Sequence, residues 1–245
     1  MRLPVIRGLI RRRLLVNFRA DPTVVQRLLP APFQPKLHKG QAIAGVCLIR
    51  LEQIRPAGLP AFLGIASENA AHRFAITWGG QEGVYIPRRD TGSMLNHLGG
   101  GRIFPGEHHH ARFDVRDDGR DIDFTMRSDD GAVRVHLRGR ETSQLPATSI
   151  FGSLEESSRF FEGGSLGYSV TSDPQRLDGL TLKALRWEVR ALEIESVESS
   201  YFSDPAFFPP GSVEFDHALV MRDIPHEWHS AADLCCEPAG TSTAG

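Results

Sequence analysis

Lysine is nearly absent from this chain. Only Lys36, Lys39 and Lys183 occur in 245 residues, so arginine carries almost all of the positive charge, and a reaction needing a primary amine has three candidates. Cysteine is equally scarce. Cys47, Cys235 and Cys236, an odd number with two adjacent, form neither a disulfide framework nor a zinc knuckle, and a reducing cytoplasm is the expected compartment. No run of 18 apolar residues occurs, so no membrane-spanning helix and no membrane partner are expected. An excess of one charge sign is missing as well: a net charge of -2 argues against a nucleic-acid partner. With 40% hydrophobic and 24% charged residues the composition is that of a globular protein, and a chain of this length buries about 70 to 75% of its unfolded surface without a disulfide or metal staple. The first twenty residues hold six arginines and no acid, as an organelle transit segment does, but they run directly into a strand pattern and are read as part of the fold.

What the chain does contain is alternation. Period-2 patterns predict strands over 13–19, 42–54, 68–78, 83–87, 107–116, 122–127, 132–140, 166–171, 182–195 and 213–222. Asp117-Asp118-Gly119-Arg120 and Asp129-Asp130-Gly131 mark turns between consecutive strands, which makes 107–140 an antiparallel meander. Helices are few and short. Asp21-Pro22-Thr23 opens one that Pro30 ends, Ser93 to Leu98 is a second before Gly99-Gly100-Gly101, and the capping box Ser153-Leu154-Glu155-Glu156 opens a third that Gly163-Gly164 closes. The fold class is α+β, dominated by a large antiparallel sheet, in one domain over 1–245 with a frayed tail at 237–245.

The densest constellation of chemical groups is Glu107-His108-His109-His110. On a strand, Glu107, His109, Ala111, Phe113 and Val115 share one face and His108, His110, Arg112 and Asp114 the other; the first face is the more apolar and is expected to point inward. An inward His109 is either a hydrogen-bonded core residue or a proton-transfer group. Three consecutive histidines also suggest a metal site, but only His108 and His110 face alike, and Arg112 beside them opposes a cation. The third ligand would have to be His72, His97 or Asp114, and neither a metal nor another cofactor is expected. The same parity puts Glu68 with Ala70, His72, Phe74 and Ile76 on the more apolar face of its strand, where a carboxylate near an arginine is a structural ion pair or part of an acid/base site. Gly163-Gly164-Ser165-Leu166-Gly167 matches the nucleophile-elbow letters, but the elbow runs strand to helix and this segment runs helix to strand, so Ser165 is read as part of a turn. Gly99 to Arg102 lacks the lysine and the following helix of a phosphate loop.

Leu15-Val16-Asn17-Phe18-Arg19-Ala20-Asp21-Pro22 with Leu28-Leu29-Pro30-Ala31-Pro32-Phe33 resembles the opening strand, helix and turn of the acetoacetate decarboxylase superfamily. Ser67-Glu68-Asn69, Gly83-Val84-Tyr85 and Gly100 to Gly106 are similar in order and spacing to that family's active-site half. With Phe160 to Tyr168 and Phe215 to Arg222, the chain from about residue 13 to 225 resembles the DUF2071 or YqjF-like branch. The resemblance implies a closed, cone-like antiparallel β-barrel with helices outside, often a homo-oligomer, and a site inside the cone. By motif, Arg19 matches the family's first-strand arginine, Glu68 its glutamate, and His109 and His110 its two lysines. An imidazole cannot form an imine. The function expected from the resemblance is therefore binding of a small carboxylate or carbonyl compound by Arg19, Glu107 and His110, with His109 and Glu68 as proton-transfer groups in a lyase, hydratase or isomerase step. The alternative is a non-catalytic ligand-binding or structural protein on the same fold.

Overall fold

The computed structural model describes residues 4–94, 106–173 and 175–235. In chain order its strands are β1 (Ile6–Ala20), β2 (Gln34–Pro35), β3 (Leu37–His38), β4 (Gln41–Pro56), β5 (Ile65–Trp78), β6 (Gln81–Thr91), β7 (His109–Asp117), β8 (Asp121–Ser128), β9 (Arg134–Thr142), β10 (Leu166–Val170), β11 (Arg176–Ala184), β12 (Arg190–Ser199), β13 (Val213–Ser230) and β14 (Leu234–Cys235). Among the described residues two α-helices join them, α1 (Pro22–Leu28) and α2 (Leu154–Glu162). The proposed helix at Ser93 to Leu98, His97, the Gly99 to Pro105 segment and the tail at 237–245 fall largely or wholly outside the described residues.

The sheet closes twice. β6–β7–β8–β9–β12–β13–β1–β4–β5 returns to β6, a ring of nine strands, antiparallel except where β7 joins β6. A second closure comes from β11 pairing with β13 and β10 pairing with β6, so β13, β1, β4, β5 and β6 also belong to a smaller ring with β10 and β11. The five shared strands are thus covered on both faces. This is why their middles read as almost unbroken apolar runs, Leu14-Leu15-Val16 in β1 and Ala218 to Met221 in β13, instead of clean alternation.

The nine-strand ring encloses a large apolar core. Leu14, Val16, Phe74, Phe124, Met126 and Leu137 meet in one cluster, joined by Val24 and Val25 of α1. The Asp21 side chain accepts from Thr23 N at 2.7 Å and Pro22 occupies the first turn, as the sequence predicts. α2 lies over a second cluster with Leu15, Ile43, Cys47 and Ala75, into which it sends Phe161. Ser153 caps it as the sequence predicts, its Oγ accepting from Glu156 N at 3.1 Å, while the Glu156 carboxylate accepts from Gly152 N, one residue before the cap. The predicted strand over 182–195 is two strands, broken where Leu185 N donates to Pro225 O, and β11 begins earlier, at Arg176. No helix among the described residues is long and apolar enough to cross a membrane.

Candidate functional site: an arginine-lined cavity

The second ring holds a cavity of about 140 Å³, walled by the shared strands, by β10 and β11, and by Phe160 and Phe161 of α2. The shared sheet presents Arg13 and Leu15 from β1, Cys47 and Ile49 from β4, and Ala71 and Arg73 from β5, all odd-numbered positions on the face opposite the packed core. Small side chains make the room. A Cβ on Gly45 would lie 3.3 Å from Arg73 Nη2, so the bare backbone there gives the guanidinium its place.

β6 contributes through a bulge. His72 pairs with Arg88 and Phe74 with Tyr85, so two steps along β5 oppose three along β6, and Pro87 sits in the surplus. Val84 and Ile86 reach the cavity before the bulge and Arg89 after it, although strict alternation would have turned Arg89 away. Arg88 instead donates to Asp90 Oδ1 from both Nε and Nη2 (3.1 and 2.8 Å) and reaches Asp130.

The charges on this wall do not balance. Lys36 pairs with Glu82 at 2.6 Å and lies over the Phe160 ring, and Asp90 is taken up by Arg88. Among the described residues Arg13, Arg73 and Arg89 have no carboxylate partner. Arg73 is 3% exposed; it donates to Asn17 Oδ1 at 2.6 Å, lies 5.0 Å from the Phe161 ring centre, and keeps Nε without a partner. Arg89 Nε donates to Ser169 Oγ at 2.9 Å and Arg13 Nε to Cys47 Sγ at 3.3 Å. Burial lowers the pKa of both Arg73 and Arg89 to about 10, against a smaller opposing influence of Cys47, so both remain cations at neutral pH. An unpaired buried cation is costly unless something answers it, and the group that best answers a guanidinium is a carboxylate or another oxyanion.

Arg73 is held from behind. His217 Nδ1 faces Asp216 Oδ2 at 2.6 Å, and its Nε2 lies 2.7 Å from Ser157 Oγ and 3.2 Å from Asn17 Nδ2. A proton on Nδ1 makes Nε2 the acceptor, which directs the Asn17 amide nitrogen to His217 and its oxygen to Arg73. Burial lowers the His217 pKa in spite of Asp216, which keeps the ring neutral. The order Ser157, His217, Asp216 is that of a hydrolytic triad, but Ser157 and His217 are wholly buried and neither lines the cavity, so no substrate reaches that serine.

The structure places none of Arg19, Glu68, Glu107, His109 and His110 on the cavity wall. Arg19 is paired with Glu214 at 2.8 Å and Asp216 at 3.2 Å. Glu68 faces the packed ring as expected, but its partner is Arg12 at 2.8 Å, in a network continuing through Asp117 to Arg222; burial raises the Glu68 pKa and Arg12 opposes this. Glu107 is exposed rather than inward, because β7 starts only at His109 and the alternation does not extend back to it. His109 and His110 are partly exposed, with Nδ1 3.4 Å from Asp130 and 2.7 Å from Asp129 respectively. His108 is the histidine of the three that lines the cavity. Of the metal-ligand candidates, His72 is buried among Tyr201 and Phe202 and Asp114 is exposed, and no group of three or more possible ligands occurs among the described residues.

Arg13, Arg73, Arg89 and Cys47 were missed because the parity test follows the more apolar face, and here that face builds the packed ring. The signal was on the other face of β5, where an arginine stands among Asn69, Ala71 and Ala75: small neighbours around one long cation mark a wall with space in front of it.

The model of the family DUF2071, described as an uncharacterized conserved protein, matches residues 9–220. No curated protein matches the chain. Among solved structures, an acetoacetate decarboxylase-like enzyme from Sphingomonas wittichii RW1 is similar at 15% identity and a TM-score of 0.57, over 96% of this chain and 93% of that one. The enduracididine biosynthesis enzyme MppR complexed with pyruvate is similar at 14% identity and 0.58, over 95% and 90%. Acetoacetate decarboxylase from Legionella pneumophila is similar at 11% and 0.57, over 94% and 88%. At these identities the likeness establishes the acetoacetate decarboxylase-like fold.

Proposed function

The chain belongs to the DUF2071 family, and on that premise we propose that it binds a small carboxylate, one that also carries a carbonyl group, in the cavity of its second ring. The observation that carries this reading is the buried guanidinium of Arg73 beside the half-buried one of Arg89, neither with a counter-ion among the described residues. A cavity of about 140 Å³ suits a ligand of a few heavy atoms. The complex of MppR with pyruvate on the same fold supports the ligand class. In this reading Arg73 and Arg89 take the place in anion binding that the family resemblance gave to Arg19.

The cavity's apolar wall, Leu15, Ile49, Ile86 and Leu180, excludes water and strengthens each guanidinium contact. Arginine donors aimed at the carboxylate also sit where an enolate or alkoxide would develop, which suits a lyase, hydratase or isomerase step. Proton transfer falls to His108, the imidazole on the wall.

A thermal-shift panel of small carboxylates and 2-oxo acids tests the binding. A ligand at about 100 times its dissociation constant adds roughly 2.7 kcal/mol of stability. The expected result is a shift in the wild type that Arg73→Met abolishes and Glu68→Gln leaves intact. No shift with any acid, or the same shift in Arg73→Met, contradicts the proposal.

A further inference from the structure

Cys47 is the thiol on the cavity wall, a nucleophile that the binding role does not use. It sits in the middle of β4, paired across strands with Leu15 and Ala71, and is buried from bulk solvent while facing the cavity. Its sulfur lies 3.3 Å from Arg13 Nε, and it is close enough to Arg73 and Arg89 to influence both charges. Arg73, buried with Nε unpartnered, faces the same space and independently marks it as a place for an anionic ligand. Arg13 Nε donates to the sulfur, and Arg73 and Arg89 line the same cavity. Lys36, the lysine on the wall, is engaged by Glu82, by the Phe160 carbonyl oxygen and by the Phe160 ring.

Resting on the anion-binding reading, we propose that Cys47 captures the carbonyl carbon of a small 2-oxo acid while the arginines hold its carboxylate, forming a reversible thiohemiketal. The Cys47 Sγ–carbon bond forms and the carbonyl π bond breaks. Its electron pair goes to the oxygen, which takes up one proton as the thiol gives one up, so nothing is oxidised or reduced and no group leaves. The arginines serve twice, fixing the carboxylate next to the sulfur and stabilising the alkoxide in transit.

The test uses the full chain with Cys235→Ser and Cys236→Ser, so that Cys47 is the remaining thiol. Iodoacetate carries the charge the cavity selects and iodoacetamide does not; intact-mass kinetics should show iodoacetate alkylating Cys47 about tenfold faster or more. Pyruvate should protect, and Cys47→Ala should show no adduct. Calorimetry then compares pyruvate with propionate, which has the carboxylate but no ketone. Pyruvate should bind at least about tenfold tighter, a difference near 1.4 kcal/mol, and Cys47→Ala should bring the two acids together. Equal binding of both acids by the wild type, or iodoacetamide reacting as fast as iodoacetate, overturns the thiol while leaving the anion site standing. Failure of both acids to bind overturns the anion site itself. A borohydride-stable pyruvate adduct on Lys36 would identify an amine as the nucleophile and also overturn the proposal.

Discussion

Arg73 holds a positive charge where water scarcely reaches, with an amide and an aromatic ring for company instead of a carboxylate. Folding bears that cost in the absence of ligand, so Arg73→Met, which keeps most of the volume and removes the charge, should melt within about 1 kcal/mol of the wild type or above it, as denaturant unfolding will show. Asp216 is the opposite case. Burial alone would raise its pKa, but bonds from His217, Ser149 and Ile150 outweigh burial and lower it to about 2. The folded value lies below the unfolded one, so the stabilisation is complete above pH 4 and disappears as the pH falls through 2. Asp216→Asn should lose about 2 kcal/mol at pH 7, and urea titrations at descending pH should show the gap from wild type closing between about pH 4 and pH 2.

Strand and helix identities were legible because alternation, caps and turn residues each have a local cause, as Asp21-Pro22 and the Ser153 cap show. Ser153→Ala should accordingly cost about 1 kcal/mol in chemical denaturation. The face that lines the cavity was not legible. β5 is covered on both sides, so its more apolar face led to Glu68 and the packed ring, while its small-residue face led to the cavity. Arg89 depends on a bulge that alternation cannot foresee, and His108 precedes β7 while His109 and His110 open it, where the strand rule has only begun to apply. Gly45 ties element to site: a Cβ there would stand 2.5 Å from the Val16 carbonyl oxygen, in the backbone of the neighbouring strand. Gly45→Ala should destabilise by about 1 to 3 kcal/mol and also weaken carboxylate binding by displacing Arg73, both readable in one ligand-dependent melt.

Two rings that share five strands form one cooperative body. β1 and β4, paired on both edges and buried on both faces, should contain the slowest amides in native-state hydrogen exchange, with β14 and the β8–β9 turn exchanging first. The two rings differ within the same topology: the nine-strand ring holds the large apolar core, and the smaller ring keeps a cavity whose Arg13, Arg73 and Arg89 have no carboxylate partner among the described residues. Titration calorimetry of pyruvate into the wild type, Arg19→Ala and Arg73→Met tests that difference most directly. Saturable binding by the wild type and Arg19→Ala, with none by Arg73→Met, is the predicted result; binding that survives Arg73→Met and is lost in Arg19→Ala would place the carboxylate outside the cavity and contradict the account.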